Sequence, residues 1–456
     1  MTNNEQIFIR DSKIAFDRKH RATLRHNISK YDQAVARGRQ RYSHFQQARE
    51  KASFLKACAV ARLPELLLEF EKNITARGAR VLWARDAADA TLFIENILKE
   101  NNARLLVKSK SMISEEIGLN EHAAGWGAEP VETDLGEFIV QVAGQKPYHI
   151  LTPAMHKSKE DVATLFHEKF GTSAEATPEQ ITRFVRKRLR EKFVTADVGI
   201  TGANFLVADI GGVGLTENEG NGLMTVSFPK IHIVIAGLER VIPSVTDLPF
   251  FFQHLAAHGT GQAISVYNSL LLGPRTAAET DGPEQMYVIL LDNGRSQLLA
   301  EQEESAALKC IRCGACLNAC PIYQNVGGYT YASTYTGPIG SVITPFYNGF
   351  REFGHLSFAC TVCGRCSEVC PVKISLHELL LLNRHRKITT NETSLGWKAA
   401  LKTFGFLSRK RSRLDLAGGR WKNRLARIAG HPLGKNREMP RFAPVSFSKQ
   451  WKNKIA

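Results

Sequence analysis

Long apolar runs are what this sequence most clearly lacks. The longest, FLVADIGGVGL at 205–215 and LHELLLL at 376–382, fall well short of the ~18 to 20 residues needed to span a bilayer. The opening MTNNEQIFIRDSK has no apolar stretch after a basic one, so no secretory signal is visible. We therefore expect a protein of the cytoplasm, either free there or peripheral to the inner face of the membrane.

Familiar nucleotide-binding and hydrolytic motifs are also missing. The sequence has no Walker A motif, no GxGxxG that opens a helix after a strand, no GxSxG and no HExxH. Gly211, Gly212 and Gly214 lie between predicted strands, where tight turns explain them sufficiently. TGANF, ENEGNG and GPR, at 201–205, 217–222 and 273–275, together hint at a polar pocket at strand ends.

Cysteine is scarce outside two short windows. Eight of the nine cysteines lie in CIRCGACLNACP at 310–321 and CTVCGRCSEVCP at 360–371, which repeat one pattern fifty residues apart. The ninth, Cys58, lies on an apolar helical stripe and is predicted to be a small core residue. In a reducing compartment, clustered cysteines more often bind metal than form disulfides.

The pattern C-x2-C-x2-C-x3-C-P indicates iron-sulfur clusters. Three thiolates of one tight loop bind one four-iron cube, and the fourth cysteine ligates the other cube. Two copies therefore predict two 4Fe-4S clusters with crossed ligands. One predicted ligand set is Cys310, Cys313, Cys316 and Cys370, and the other is Cys360, Cys363, Cys366 and Cys320.

Neighbouring residues fit the same interpretation. Gly314 and Gly364 allow a tight turn after each second cysteine, and a proline closes each loop. Positive charge beside each site would favour the reduced state, although surface placement explains it equally well. The residues concerned are Lys309, Arg312, Arg365 and Lys373. Structural zinc is the competing hypothesis, but zinc sites separate two cysteine pairs by a longer spacer and do not use a third cysteine at the same step.

Residues 76–300 alternate short apolar runs with helical stretches, which predicts an α/β domain with a mostly parallel sheet. Predicted strands lie within 79–84, 103–110, 147–154, 196–209, 211–229, 230–242 and 286–296. The four predicted regions are N-terminal helices at 1–75, the α/β domain at 76–300, a helical two-cluster ferredoxin-type domain at 301–390 and a basic tail at 391–456.

The net charge of +16 is concentrated at the C-terminus. Residues 384–456 hold 19 Lys/Arg against three Asp/Glu, and the remaining charges cancel. Aromatic residues interleave with the basic ones: Trp397, Phe404, Phe406, Trp421 and Trp451. Nucleic acid or an anionic membrane would suit such a tail, but with no nucleic-acid-binding motif present we favour a docking arm or a solvated helix.

Several longer stretches outside the cysteine motifs are distinctive: VKSKSMISEEIGLNE (107–121), ETDLGEF (132–138), TADVGITGANF (195–205), TENEGNG (216–222), DGPEQMYVILLDNGRS (281–296) and TGPIGSVITP (336–345). Together they resemble the lactate utilisation protein B family, the iron-sulfur subunits of a three-protein bacterial L-lactate oxidation system. The resemblance covers roughly 10–390. It implies an α/β fold similar to CoA transferases and sugar-phosphate isomerases.

The resemblance also implies a function: a non-catalytic or co-catalytic subunit that carries electrons during oxidation of L-lactate to pyruvate. Its partners would be a cysteine-rich subunit and a smaller subunit with another lactate-utilisation domain. Since no flavin motif is visible, the hydride acceptor and the lactate site are expected on a partner. The alternatives are an iron-sulfur sensor that binds nucleic acid through the tail, and an α/β domain that acts alone on a CoA or phosphorylated ligand.

Overall fold

The computed structural model describes residues 2–390, 395–415, 418–430 and 441–455. Residues 1–386 form one compact unit and residues 387–456 form a second.

The first unit opens with four α-helices, as predicted for residues 1–75. They are α1 (Asn3–Asp11), α2 (Arg18–Arg39), α3 (Phe45–Ala61) and α4 (Leu63–Thr75). Helix α3 buries Lys56 and Arg49 and leaves Cys58 only half-buried. The prediction that Cys58 is a core residue is therefore wrong. The helix is turned so that its neighbour Ala59 faces the core instead.

The α/β region holds two sheets. The ten strands are β1 (Arg80–Ala84), β2 (Leu105–Lys108), β3 (Glu129–Glu132), β4 (Val198–Gly202), β5 (Phe205–Val207), β6 (Gly212–Glu217), β7 (Ile231–Gly237), β8 (Val241–Ile242), β9 (Tyr267–Leu271) and β10 (Gln285–Leu291). Six form a sheet in the order β1-β10-β7-β4-β2-β3, with every pair parallel. The smaller sheet has the order β8-β5-β6-β9, with one parallel pair.

Helices connect these strands, and one more follows β10. They are α5 (Ala87–Glu100), α6 (Met112–Glu116), α7 (Leu119–Gly125), α8 (Leu135–Val142), α9 (Lys159–Phe170), α10 (Pro178–Thr195), α11 (Asn221–Ser227), α12 (Leu248–Gly259) and α13 (Arg295–Leu299). Parallel strands need such crossovers, and their helices cover the sheet. The central strand β7 is consequently buried along its whole length. The predicted α/β architecture is confirmed.

Two strand predictions differ from the structure. The segment 147–154 is an irregular loop, since prolines at both ends remove backbone donors and Tyr148 N–H turns back to the carbonyl of Pro153. The second half of 211–229 forms helix α11, while β3 and β9 are strands that the sequence pattern did not indicate. Gly211 serves a turn, as predicted: its φ is +61°, and an added Cβ would lie 2.2 Å from the backbone nitrogen of Ile74. The same prediction is wrong for Gly212 and Gly214, which lie within β6 and pair with β5.

The cysteine-containing region is helical between and after the motifs, as predicted. Its helices are α14 (Ala315–Ala319), α15 (Tyr323–Val326), α16 (Gly337–Asn348), α17 (Phe350–Phe353), α18 (Arg365–Glu368) and α19 (Leu376–Thr389). Helix α19 docks through buried Leu376, Leu379 and Leu380, and the side-chain amide of Asn383 donates to the carbonyl of Val342 at 2.9 Å. One hydrophobic core joins this region to α2, α3 and the smaller sheet.

In the second unit, the residues that the structure describes form four helices: α20 (Leu395–Ser408), α21 (Arg411–Leu414), α22 (Gly419–Gly430) and α23 (Phe447–Ile455). Of the five aromatic residues singled out from the sequence of this unit, Phe404, Phe406, Trp421 and Trp451 have exposed side chains, and the side chain of Trp397 lies outside the described part. In the described ranges, none of the helices of either unit combines the length and hydropathy of a bilayer-spanning segment.

Candidate iron-sulfur centre and adjoining cavity

The two cysteine motifs fold into the same backbone. In the first, Arg312 has a φ of +61°, its N–H points to Cys310 Sγ at 3.4 Å, and Gly314, with a φ of +75°, starts α14. In the second, Val362 has a φ of +57°, its N–H points to Cys360 Sγ at 3.2 Å, and a left-handed glycine starts α18. The fifty-residue sequence repeat is therefore also a structural repeat.

The eight thiols lie in two neighbourhoods that mix the motifs. Burial raises the pKa of Cys316, and the nearby thiolates of Cys310, Cys313 and Cys370 raise it further. Burial likewise raises the pKa of Cys366 to about 12, with Cys320 and Cys360 contributing. Cys320 in turn is influenced by Cys360 and Cys363. Each neighbourhood thus holds three cysteines of one loop and the last cysteine of the other.

These surroundings suit an iron-sulfur cluster. Buried thiols that repel one another as thiolates need bound cations to become anionic ligands. Backbone N–H groups point to the sulfurs, as at Ile374, whose N–H lies 3.3 Å from Cys370 Sγ, and such donors stabilise negative charge on a cluster. Among the described residues, no three Cys, His, Asp or Glu side chains converge closely enough to hold a single metal ion.

The four basic residues predicted beside the motifs have different surroundings. Arg312 is buried, Lys309 is half-buried with its Nζ 3.4 Å from Ser53 Oγ, and Arg365 is exposed. Lys373 pairs with Glu50 at 3.3 Å on the surface. Of these four residues, only Arg312 is buried.

Arg312 belongs to a buried ionic network at the carboxyl ends of the parallel strands. Glu239, in the short turn that follows β7, accepts from Arg295 Nε at 2.6 Å and from Arg312 Nη2 at 3.1 Å. Arg295 also forms a double hydrogen bond to Glu116 at 2.8 and 2.9 Å, and Tyr335 O–H donates to Glu116 at 2.6 Å. Burial alone would raise the pKa of Glu239, but Arg295 and Arg312 hold it well below its ordinary range.

A cavity of about 290 Å³ adjoins this network. The ends of the neighbouring parallel strands β2, β4 and β7 line it, and the first cysteine motif contributes Ile311 and Arg312. Carboxyl strand ends are where open α/β sheets bind ligands. The cavity contains residues of the predicted segments 201–205 and 217–222. The third segment, 273–275, is not part of it, because Gly273 packs against the backbone of Arg77.

Comparisons with known proteins agree with both halves of this description. Residues 67–291 match the LUD domain, and residues 306–374 match the 4Fe-4S dicluster domain. "Lactate utilization protein B" of Bacillus licheniformis is 40% identical over 380 residues, which cover 83% of this chain and 79% of the relative. The chain belongs to the lactate utilisation protein B family.

Two further relatives extend the comparison. The family protein of Macrococcus caseolyticus is 42% identical over 350 residues, covering 76% of this chain and 73% of its own. "Uncharacterized electron transport protein YkgF" of Escherichia coli is 39% identical over 389 residues, covering 84% of this chain and 81% of its own. With the dicluster domain matched and eight clustered cysteines present, the predicted cofactors, two 4Fe-4S clusters, are confirmed.

Sequence reasoning missed several residues that hold the motifs in place. Arg49 of α3 donates to the carbonyls of Cys370 and Glu368 at 2.8 and 2.6 Å. Arg384 of α19 donates to the carbonyl of Cys360 at 2.6 Å. No sequence signal marks either arginine, since each lies far from its target or in a basic stretch.

A second buried charge cluster was also missed. Lys108, at the end of β2, contacts Glu115 and Glu132 at 2.8 and 2.7 Å, and Glu137 lies beside them. Burial and the neighbouring Glu132 raise the pKa of Glu137 well above its ordinary value. These residues lie in two of the stretches that carry the family resemblance, VKSKSMISEEIGLNE and ETDLGEF. Nothing in the pattern of either stretch indicated that their charged side chains would be buried together.

Proposed function

We propose that this chain is the iron-sulfur electron-transfer subunit of a complex that oxidises L-lactate to pyruvate. The observation that carries the proposal is the mixing of the two motifs in each neighbourhood of thiols, within a single core. The names of the family relatives support lactate as the reductant. Oxidation of one L-lactate to pyruvate releases two electrons and two protons, so the complex needs electron acceptors.

The proposed ligands are those expected from the sequence. Cys310, Cys313, Cys316 and Cys370 would hold the first cluster, and Cys360, Cys363, Cys366 and Cys320 the second. When bound, a 4Fe-4S cluster takes up and gives away one electron at a time. The chain's contribution is to hold the two centres side by side and to supply N–H donors to their sulfurs.

The surroundings of the two loops suggest a direction for electron flow. The first loop is buried against the α/β region and borders the cavity. The second loop reaches the surface at Cys363, and Phe358, which comes shortly before this loop in the sequence, is 50% exposed. An exposed aromatic side chain suits a contact with another protein. We propose that electrons enter at the first cluster and leave at the second toward a partner, the candidates being a cysteine-rich subunit and a smaller LUD-domain subunit.

Anaerobic co-purification with native partners, followed by L-lactate-dependent reduction of a dye, tests this function. We expect dye reduction by the assembled complex to be lost when this chain carries Cys370→Ala or Cys320→Ala, and to persist with Cys58→Ala. Equal dye reduction by the partners without this chain would rule out its role as the electron carrier.

A further inference from the structure

Arg312 carries an unusual pair of unsatisfied hydrogen-bond donors. The residue is 7% exposed and lines the cavity. Its Nη2 donates to Glu239 and its guanidinium lies 4.5 Å from the ring of Tyr335. Its Nε and Nη1, however, have no hydrogen-bond acceptor among the described residues. Leaving buried charged donors unpaired is costly, so an acceptor from outside the chain is expected at this position.

The charges around Arg312 also call for an anion. Three guanidinium groups, those of Arg240, Arg295 and Arg312, lie beside only two carboxylates, Glu116 and Glu239. The ammonium group of Lys56 adds a further positive charge and donates to the backbone carbonyl of Glu239. Arg240, which also lines the cavity, comes no closer than 4.0 Å to Glu239. Two arginines at one cavity can present several donors to a carboxylate in a fixed geometry.

The same cavity has an acidic part as well. Asp134, Glu217 and Glu219 lie near one another there, and burial raises the pKa of Glu217, with Glu219 and Asp134 adding to the effect. Multiply charged anions such as phosphates are disfavoured beside three carboxyl groups. A singly charged carboxylate that also carries a hydrogen-bond donor, such as a hydroxyl group, complements both parts. The volume of about 290 Å³ accommodates a small molecule.

We propose that this cavity binds a small hydroxy- or oxo-carboxylate, with Arg312 and Arg240 holding its carboxylate directly beside the first cysteine motif. The site belongs to this chain and not to a partner, contrary to the expectation from the sequence. The proposal rests on the proposed function only in the choice of L-lactate and pyruvate as probes.

The repeat itself provides the matched variants. Val362 occupies the position of Arg312 in the second loop at nearly the same φ, so Arg312→Val introduces a side chain that this backbone already carries. Val362→Arg is the control, because it adds a cation beside the other motif, away from the cavity. Arg312→Gln is a second variant that keeps polarity and removes the charge.

The experiment is calorimetric titration of the anaerobic, cluster-loaded full chain with L-lactate, pyruvate, acetate and inorganic phosphate. We expect L-lactate or pyruvate to bind more tightly than acetate and phosphate. Affinity should fall at least tenfold in Arg312→Val and Arg312→Gln, with iron content unchanged, and remain as in the wild type in Val362→Arg.

Three results would overturn the proposal. They are absence of carboxylate binding by the wild type, tighter binding of phosphate than of either acid, and unchanged affinity in an iron-loaded Arg312→Val variant. If the Arg312 variants shift the midpoint potential of the first cluster but bind the carboxylates with unchanged affinity, Arg312 acts on the cluster alone. That result also contradicts the proposal. Lactate-dependent dye reduction by the complex without binding here would leave the proposed function standing, whereas binding here without dye reduction would count against that function alone.

Discussion

Residues 311–319 of the first motif are all buried, whereas residues 361–365 of the second are exposed or half-buried. Their backbones nevertheless turn in the same way, with left-handed residues at matching positions. The packing around the two loops differs: an added Cβ at Gly314 would contact Ile150 and Leu151, whereas one at Gly364 would have no neighbour within 4 Å. Local sequence thus sets the shape of a cluster loop, while its surroundings set solvent access, charge and the route to a ligand.

The largest expected effect concerns the crossed ligands. Cys370→Ala should remove the cluster built mainly from the first motif, and Cys320→Ala the one built mainly from the second, because each supplies the fourth thiolate of the other loop's site. Iron counting and electron paramagnetic resonance of the anaerobic variants should show half of the iron lost each time and a different signal missing. Cys58→Ala should retain all the iron. Loss of the cluster nearest in sequence would contradict the pairing.

Glu239→Gln should lower the free energy of unfolding, because Glu239 belongs to the buried ionic network beside the first motif. The described residues form no equivalent network beside the second motif. The substitution leaves the buried guanidinium groups of Arg295 and Arg312 without a shared carboxylate, and removing one partner of a buried ion pair costs about 3–5 kcal/mol. Denaturant unfolding under anaerobic conditions measures the loss. The control is Glu301→Gln, whose partner Arg386 is partly exposed, and which should cost about 1 kcal/mol or less. Similar losses for both would mean that the network contributes little.

A matched glycine pair isolates the effect of packing. Alanine at Gly314 or Gly364 must adopt a left-handed conformation, which costs about 1–2 kcal/mol. Only at Gly314 does the new methyl group meet a neighbour, Ile150, at 3.0 Å, and overpacking adds about 1–3 kcal/mol. The free energy of unfolding of Gly314→Ala should therefore fall further than that of Gly364→Ala. Equal losses would show that the two loops are similarly free of contacts.

The smallest effect is a dependence on pH. His149 lies in the loop that packs on the first motif, and burial, with a contribution from Lys110, lowers its pKa to about 3. Below about pH 6.5 the imidazole of His149 takes up a proton in the unfolded chain but not in the folded chain. The free energy of unfolding should therefore fall as the pH drops below about 6.5, by up to about 1.4 kcal/mol per pH unit.

His149→Asn tests this expectation, since the asparagine oxygen can still accept from the N–H of Leu151, as His149 Nδ1 does at 3.1 Å. Free energies of unfolding measured between pH 7 and 5.5 should decrease less steeply with acid in the variant. An unchanged slope would mean that His149 is not the titrating group.

Particular residues show how far the sequence reaches. Short apolar runs between helical stretches were enough to predict β1, β2, β4, β7 and β10, because buried parallel strands need continuous hydrophobic stretches. The apolar segment 147–154 has the same texture but forms a loop, since its prolines exclude it from a sheet. The short strand β3 was missed because its sequence, EPVE, carries charge and proline. The position of Glu239 beside Arg312 could not be predicted, as nothing in a single sequence pairs residues seventy-three apart.

By itself, the sequence determined the cluster chemistry and the two loop conformations, because cysteine spacing and adjacent glycine are local properties of the chain. Only the tertiary structure decided that one loop is enclosed by the α/β region and the other faces solvent, and that buried arginines meet a cavity at the strand ends. Those features depend on which distant segments pack together, and packing is settled by the whole core and not by any one stretch of residues.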